Sequence, residues 1–236
     1  MGLLMARTFT VSELITLVRE RSNTERSNFV TDDELIRYID QAYTKLYDLI
    51  VSKFENYYLD EYVFTTDGLN QFFNLPATFY KMVGLDQYQN TSGSGDNALT
   101  VRPFNFNERN RYNNILFAVT AAAFYRYLIQ GSKIKILPQP SSGITFKMWF
   151  VPAPPKLTSG TDVVDGIAGW EEVVVLTAAI QVMNKQELDS TALKREQQEA
   201  IERVITMATE RDAALPERVT DLSVVNEQLA LFPVIL

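Results

Sequence analysis

The sequence predicts an α+β protein: a four-helix bundle formed by N- and C-terminal helix pairs, with a β-rich insert and an extended C-terminal tail. Three observations lead there. Two Thr-x-x-Glu spacings near the N-terminus each precede an apolar stripe of helical period. Helical spacing returns after Gly169. Between these regions the apolar period shortens to two, and Gly, Pro and Asn punctuate the chain. The expected divisions are residues 1–59 for the first helix pair, 60–166 for the insert, 167–215 for the second pair and 216–236 for the tail.

Thr10 and Glu13 have capping-box spacing, and Val11, Leu14, Ile15, Leu17 and Val18 follow on one face. Thr31 and Glu34 repeat the device ahead of Leu35, Tyr38, Ile39, Ala42, Leu46, Leu49 and Ile50. Alternation begins at Tyr62 and Phe64. Asp67-Gly68 supplies a turn, and Gln71 to Leu75 reads as the returning strand of a hairpin. Lys81 to Gln89 suits another strand, and Asn90 to Asn97 a polar loop. Ser132 to Leu137 and Ile144 to Val151 suggest a second hairpin around Pro138-Gln139-Pro140-Ser141-Ser142-Gly143. Trp170, Val173, Leu176, Ile180 and Met183 mark a helical face. Asp189-Ser190 can cap a further helix that carries Leu193, Gln197, Ile201, Val204 and Ala208. Pro216 to Glu227 is polar, and Leu229 to Leu236 is apolar and uncharged.

Composition removes several function classes. Among 236 residues there is no Cys and no His. Disulfides, thiol nucleophiles, histidine bases and imidazole metal sites are therefore absent, and no metal or cofactor is expected. No apolar run reaches the ~20 residues of a membrane span. Met1 to Arg7 is wrongly ordered for a signal peptide, so a soluble chain made in a cytoplasm is expected. The net charge of -7 is uneven: residues 161–221 hold 13 acidic and six basic side chains, whereas residues 31–160 hold 12 of each. No basic stripe appears along the chain, which argues against sequence-reading of nucleic acid.

The motifs that could carry chemistry have plainer structural readings. Gly93-Ser-Gly95-Asp-Asn-Ala98 fits a dinucleotide fingerprint in letters but runs into an extended, proline-ended segment. Asp32-Asp33-Glu34, Asp60-Glu61 and Glu171-Glu172 could serve glycoside hydrolysis or bind a hard cation. The first and third also suit the first turn of a helix. Pro152-Ala-Pro154-Pro155-Lys156 could be a polyproline ligand but reads better as a rigid connector between strand and bundle. Arg109 and Arg111 lie among Phe104, Phe106 and Tyr112, an interleaving that can hold single-stranded nucleic acid but suits local packing or a protein contact. The terminal Leu229, Leu231, Phe232, Pro233, Val234, Ile235 and Leu236 form the strongest candidate for partner binding. Left in water they would be a large apolar patch, and a polar spacer lets them reach a neighbouring subunit, a partner or their own domain.

In order along the chain, several stretches resemble the head-to-tail adaptor (connector) proteins of tailed bacteriophages. They are Phe73 to Val83, Arg102 to Tyr112, Trp149 to Glu172 and Glu210 to Asp221, with Arg109, Arg111, Tyr112, Trp170 and Glu171 among the positions that carry the likeness. The resemblance implies a non-enzymatic structural protein of the virion, made in a bacterial host. It implies a ring, typically of twelve copies, that docks on the portal protein, extends the channel and offers a platform to a tail or nozzle protein. Genomic DNA would pass without sequence-specific binding. Two rivals stay open: a carboxylate-dependent hydrolase acting on cell-wall glycan, and a tail-completion or other virion interaction protein.

Overall fold

Thr10 and Thr31 open the first two helices. The structure is a computed structural model that describes residues 8–25, 29–88, 98–113, 125–164 and 169–210. Helix α1 spans Val11–Arg21 and α2 spans Asp32–Lys53. Each N-terminus is closed by a reciprocal capping box. The Glu13 backbone N–H donates to Thr10 Oγ1 at 3.3 Å, and Thr10 N–H donates back to the Glu13 carboxylate at 2.8 Å. Thr31 and Glu34 repeat this at 3.3 and 3.2 Å.

Two further long helices lie near the other end of the described chain, α4 over Glu171–Lys185 and α5 over Thr191–Glu210, with the four-residue α3 at Arg109–Tyr112 between the pairs. The Asp189 carboxylate accepts the Thr191 N–H at 2.9 Å and so caps α5.

The expected four-helix bundle of two terminal pairs is not what forms. In a bundle every helix buries one stripe and shows the opposite face to water. In α4, Val173 to Ile180 and Val182 are all buried, so the middle turns of this helix have no wet face. It is a hub with α1, α2 and α5 packed around it. Strand and connector residues complete the same core: Val151, Leu157 and Val164 are buried with the helical side chains. The molecule is a mixed α+β structure of five helices and several sheets among the described residues.

The strands are β1 (Phe9–Thr10), β2 (Asp60–Asp67), β3 (Phe72–Asn74), β4 (Phe79–Tyr88), β5 (Ala98–Thr100), β6 (Arg102–Pro103), β7 (Arg126–Gln130), β8 (Lys133–Leu137), β9 (Ser142–Pro152) and β10 (Val163–Val164). They form one sheet ordered β2-β9-β4-β5, a second ordered β3-β8-β7-β6 and a short β1-β10 pair. Neither expected hairpin exists. Phe64 pairs with Phe146 of β9, and Phe73 pairs with Ile134 of β8. The Asp67-Gly68 turn thus hands the chain from one sheet to the other. Asp67 accepts the N–H groups of Leu69 and Asn70, both at 2.9 Å. Gly68 has φ +78°, and a Cβ there would lie 2.8 Å from the Ser142 nitrogen. Residues 138–141 make the reverse passage from β8 to β9. Alternation identifies strands but not their partners, because the pairing follows the shared core. That core contains Leu85, Val101, Tyr125, Ile134, Ile136, Phe146, Met148 and Phe150.

Tyrosines join the helical and β layers. Tyr47 of α2 donates its hydroxyl to the Pro152 carbonyl and stacks on Tyr58 at 4.2 Å. Tyr80 donates to Asp48 at 2.7 Å. The connector after Pro152 returns to α2, where the Leu157 N–H donates to Asp40 at 2.9 Å.

Candidate functional site

The acidic residues singled out in the sequence, Asp33 apart, are spent on structure. Asp32 pairs with Arg19 at 2.6 Å, and Glu34 with Lys185 of α4 at 2.7 Å. Asp60 accepts the Glu61 N–H, and Glu61 meets Lys147 at 2.9 Å. Glu171 accepts the Gly169 N–H at 2.6 Å, and Glu172 meets Arg203 at 3.0 Å.

A glycan hydrolase needs one carboxyl held protonated near neutrality. Glu34, Asp67, Asp162 and Asp189 all move the other way. Lys185 holds Glu34 below the usual carboxylate range, and the Leu69 and Thr158 N–H groups do the same for Asp67 and Asp162. The Thr191 hydroxyl lowers Asp189. No group of three potential metal ligands occurs among the described residues. No helix among them is long and apolar enough to cross a membrane.

A groove of about 300 Å³ opens between α1, α4 and α5, lined in part by Leu17, Glu20, Arg21, Glu172 and Arg203. Its arginines are committed to their own chain. Arg21 reaches Glu196 at 3.2 Å and Glu172 at 3.8 Å, and Arg203 donates to the Gly169 carbonyl at 2.7 Å. The acidity of residues 161–221 is therefore partly neutralised in place.

The aromatic-basic segment is resolved into named contacts. Arg109 lies over the Phe106 ring at 4.5 Å, and Arg111 and Arg126 approach the Tyr112 ring at 5.8 and 5.7 Å. Phe104 packs beside Tyr112 at 5.9 Å. Trp170 is buried at the entry to α4, directly before the Glu171 that fixes Gly169. The structure gathers Arg109, Arg111 and Tyr112 at one end of the second sheet, and places Trp170 and Glu171 in the helical layer. Leu229 to Leu236 and the loop Asn90 to Asn97 lie outside the described residues.

Linear reading missed Arg102, Lys133 and Lys135: strand pairing sets Arg102 opposite Arg126 and puts Lys133 and Lys135 on the same side of the neighbouring strand β8. They are scattered along the chain, and only the register collects them.

A family model described as SU10 adaptor protein matches residues 9–221. The chain belongs to this family of phage head-to-tail adaptors. No curated protein matches the sequence. The adaptor is a structural protein of the virion, and the match runs through both helical regions and the β-rich middle. It stops short of the apolar terminal residues.

Proposed function

We propose that the adaptor assembles as a ring of twelve copies between the portal and the tail. One end of the ring docks on the portal protein, the other offers a platform to a tail or nozzle protein, and DNA passes through the middle without sequence-specific binding. The observation that carries this reading is the family match across nearly the whole chain. The structure supports a role in contact rather than catalysis, since its acidic clusters serve as caps and ion pairs. Arg109, Arg111, Tyr112, Trp170 and Glu171 serve as packing positions that fix surfaces for neighbours, and the apolar residues Leu229 to Leu236 dock on the portal or the next subunit.

A native mass of the adaptor–portal complex tests the stoichiometry. Twelve 26.9 kDa chains per portal ring is the expected result. A complex with one adaptor chain, or with none, overturns it.

A further inference from the structure

The second sheet has one face in the core and one partly exposed. Register puts Phe73, Ile134 and Ile136 on the inner side. Phe72, Lys133, Lys135, Leu128, Arg126 and Arg102 occupy the other side with the buried Leu137, and of these Phe72, Lys133 and Arg102 are exposed while Lys135, Leu128 and Arg126 are half-buried. With Arg109 and Arg111 of α3, the stretches 98–113 and 125–137 hold six basic side chains and one acidic one, Glu108, in a chain of net charge -7. The Glu108–Arg111 contact is 4.0 Å long between exposed groups and weak. The other five cations have no carboxylate partner among the described residues. Aromatic rings lie against three of the five: Lys135 is 5.1 Å from Phe72, Arg109 sits over Phe106 and Arg126 approaches Tyr112. Phe72 and Phe106 remain 43% and 54% exposed, so apolar surface lies between the charges.

The helical side has the opposite sign. Residues 169–210 carry eight acidic and four basic side chains. Glu196, Glu199 and Glu202 follow one another at three-residue steps along the exposed side of α5, near Met207, which is 55% exposed. Glu196 meets Arg21 and Glu199 meets Arg195, each at 3.2 Å, but both pairs are exposed and neutralise that ridge only weakly.

We infer that the basic, aromatic face of the β3-β8-β7-β6 sheet docks on the acidic α5 ridge of a second copy. This is the repeating contact of the ring and rests on the ring reading above. A cyclic assembly needs two different, mutually complementary faces on every subunit, and these two faces match in charge and in exposed apolar surface. DNA is the weaker occupant. Five uncompensated cations per copy along a channel would hold phosphates and oppose passage. Several of the rings that could stack on bases already carry a cation of their own chain.

The test uses the full chain with purified portal rings, and circular dichroism checks that each variant is folded. Lys133→Glu with Lys135→Glu should weaken adaptor–adaptor association about tenfold, and raising salt about tenfold should weaken the wild type in the same direction. Glu199→Lys with Glu202→Lys should weaken it likewise, and mixing the two doubly substituted chains should restore assembly. Wild-type rings together with unaffected variant rings overturn the inference and leave the ring reading standing. Loss of oligonucleotide binding by Lys133→Glu/Lys135→Glu, with assembly unchanged, assigns the face to nucleic acid and also overturns it. A wild-type chain that binds portals only as separate monomers overturns both readings.

Discussion

Thr31 and Glu34 show how much one residue pair can specify. Their spacing announces a helix start, and the structure places both capping bonds there. Replacing Thr31 with Ala should cost about 1 kcal/mol, read as a shift in urea midpoint without a change in slope. Glu34 has a second duty that the sequence does not reveal, because its Lys185 partner lies on a distant helix. Lys185 and the Thr31 N–H favour the carboxylate and hold its folded value below the ordinary 4.5. A depressed carboxyl contributes stability in full above its unfolded value and loses it as pH falls through the folded one. Glu34→Gln should therefore flatten the acid limb of the stability–pH profile below about pH 4.5, with little change in its shape near neutrality. An unchanged acid limb contradicts the role given to Lys185.

At the level of elements, α4 teaches the most. The stripe from Trp170 to Met183 correctly marks a helix, but stripe reading assumes that the remaining faces are wet. Val174, Val175, Thr177, Ala178 and Ala179 fill those faces and are buried too. A helix that is apolar all round belongs at the centre of a layer. Ala178 and Ala179 are fully buried there, where small side chains permit close approach. Ala178→Leu should destabilise the fold by about 1–3 kcal/mol through overpacking, measured by denaturant titration. A substitution without cost would show that α4 has room on that side. The strands teach a related lesson. Their positions are legible from alternation, whereas the pairings β2-β9 and β3-β8 depend on which sheet each segment joins. The basic face on β6, β7 and β8 was hidden for the same reason, since only register puts Arg102, Arg126, Lys133 and Lys135 on one side of the sheet.

For the whole molecule, charge and apolar surface are distributed by region. A chain with net charge -7 carries a basic sheet face at one place and a ridge of glutamates at another. That polarity suits an adaptor, whose work is to meet different neighbours on different sides. The terminal segment Leu229 to Leu236 is a further contact element in this account. Its deletion should weaken assembly on portal rings while circular dichroism and the unfolding midpoint stay at wild-type values. Unchanged assembly would remove the segment from the docking scheme. The central claim is the ring itself, and an image average of the adaptor bound to its portal tests it most directly. The account predicts twelvefold density stacked on the portal and continuing its channel. Density of another symmetry, or an adaptor found only at the far end of the tail, would contradict it.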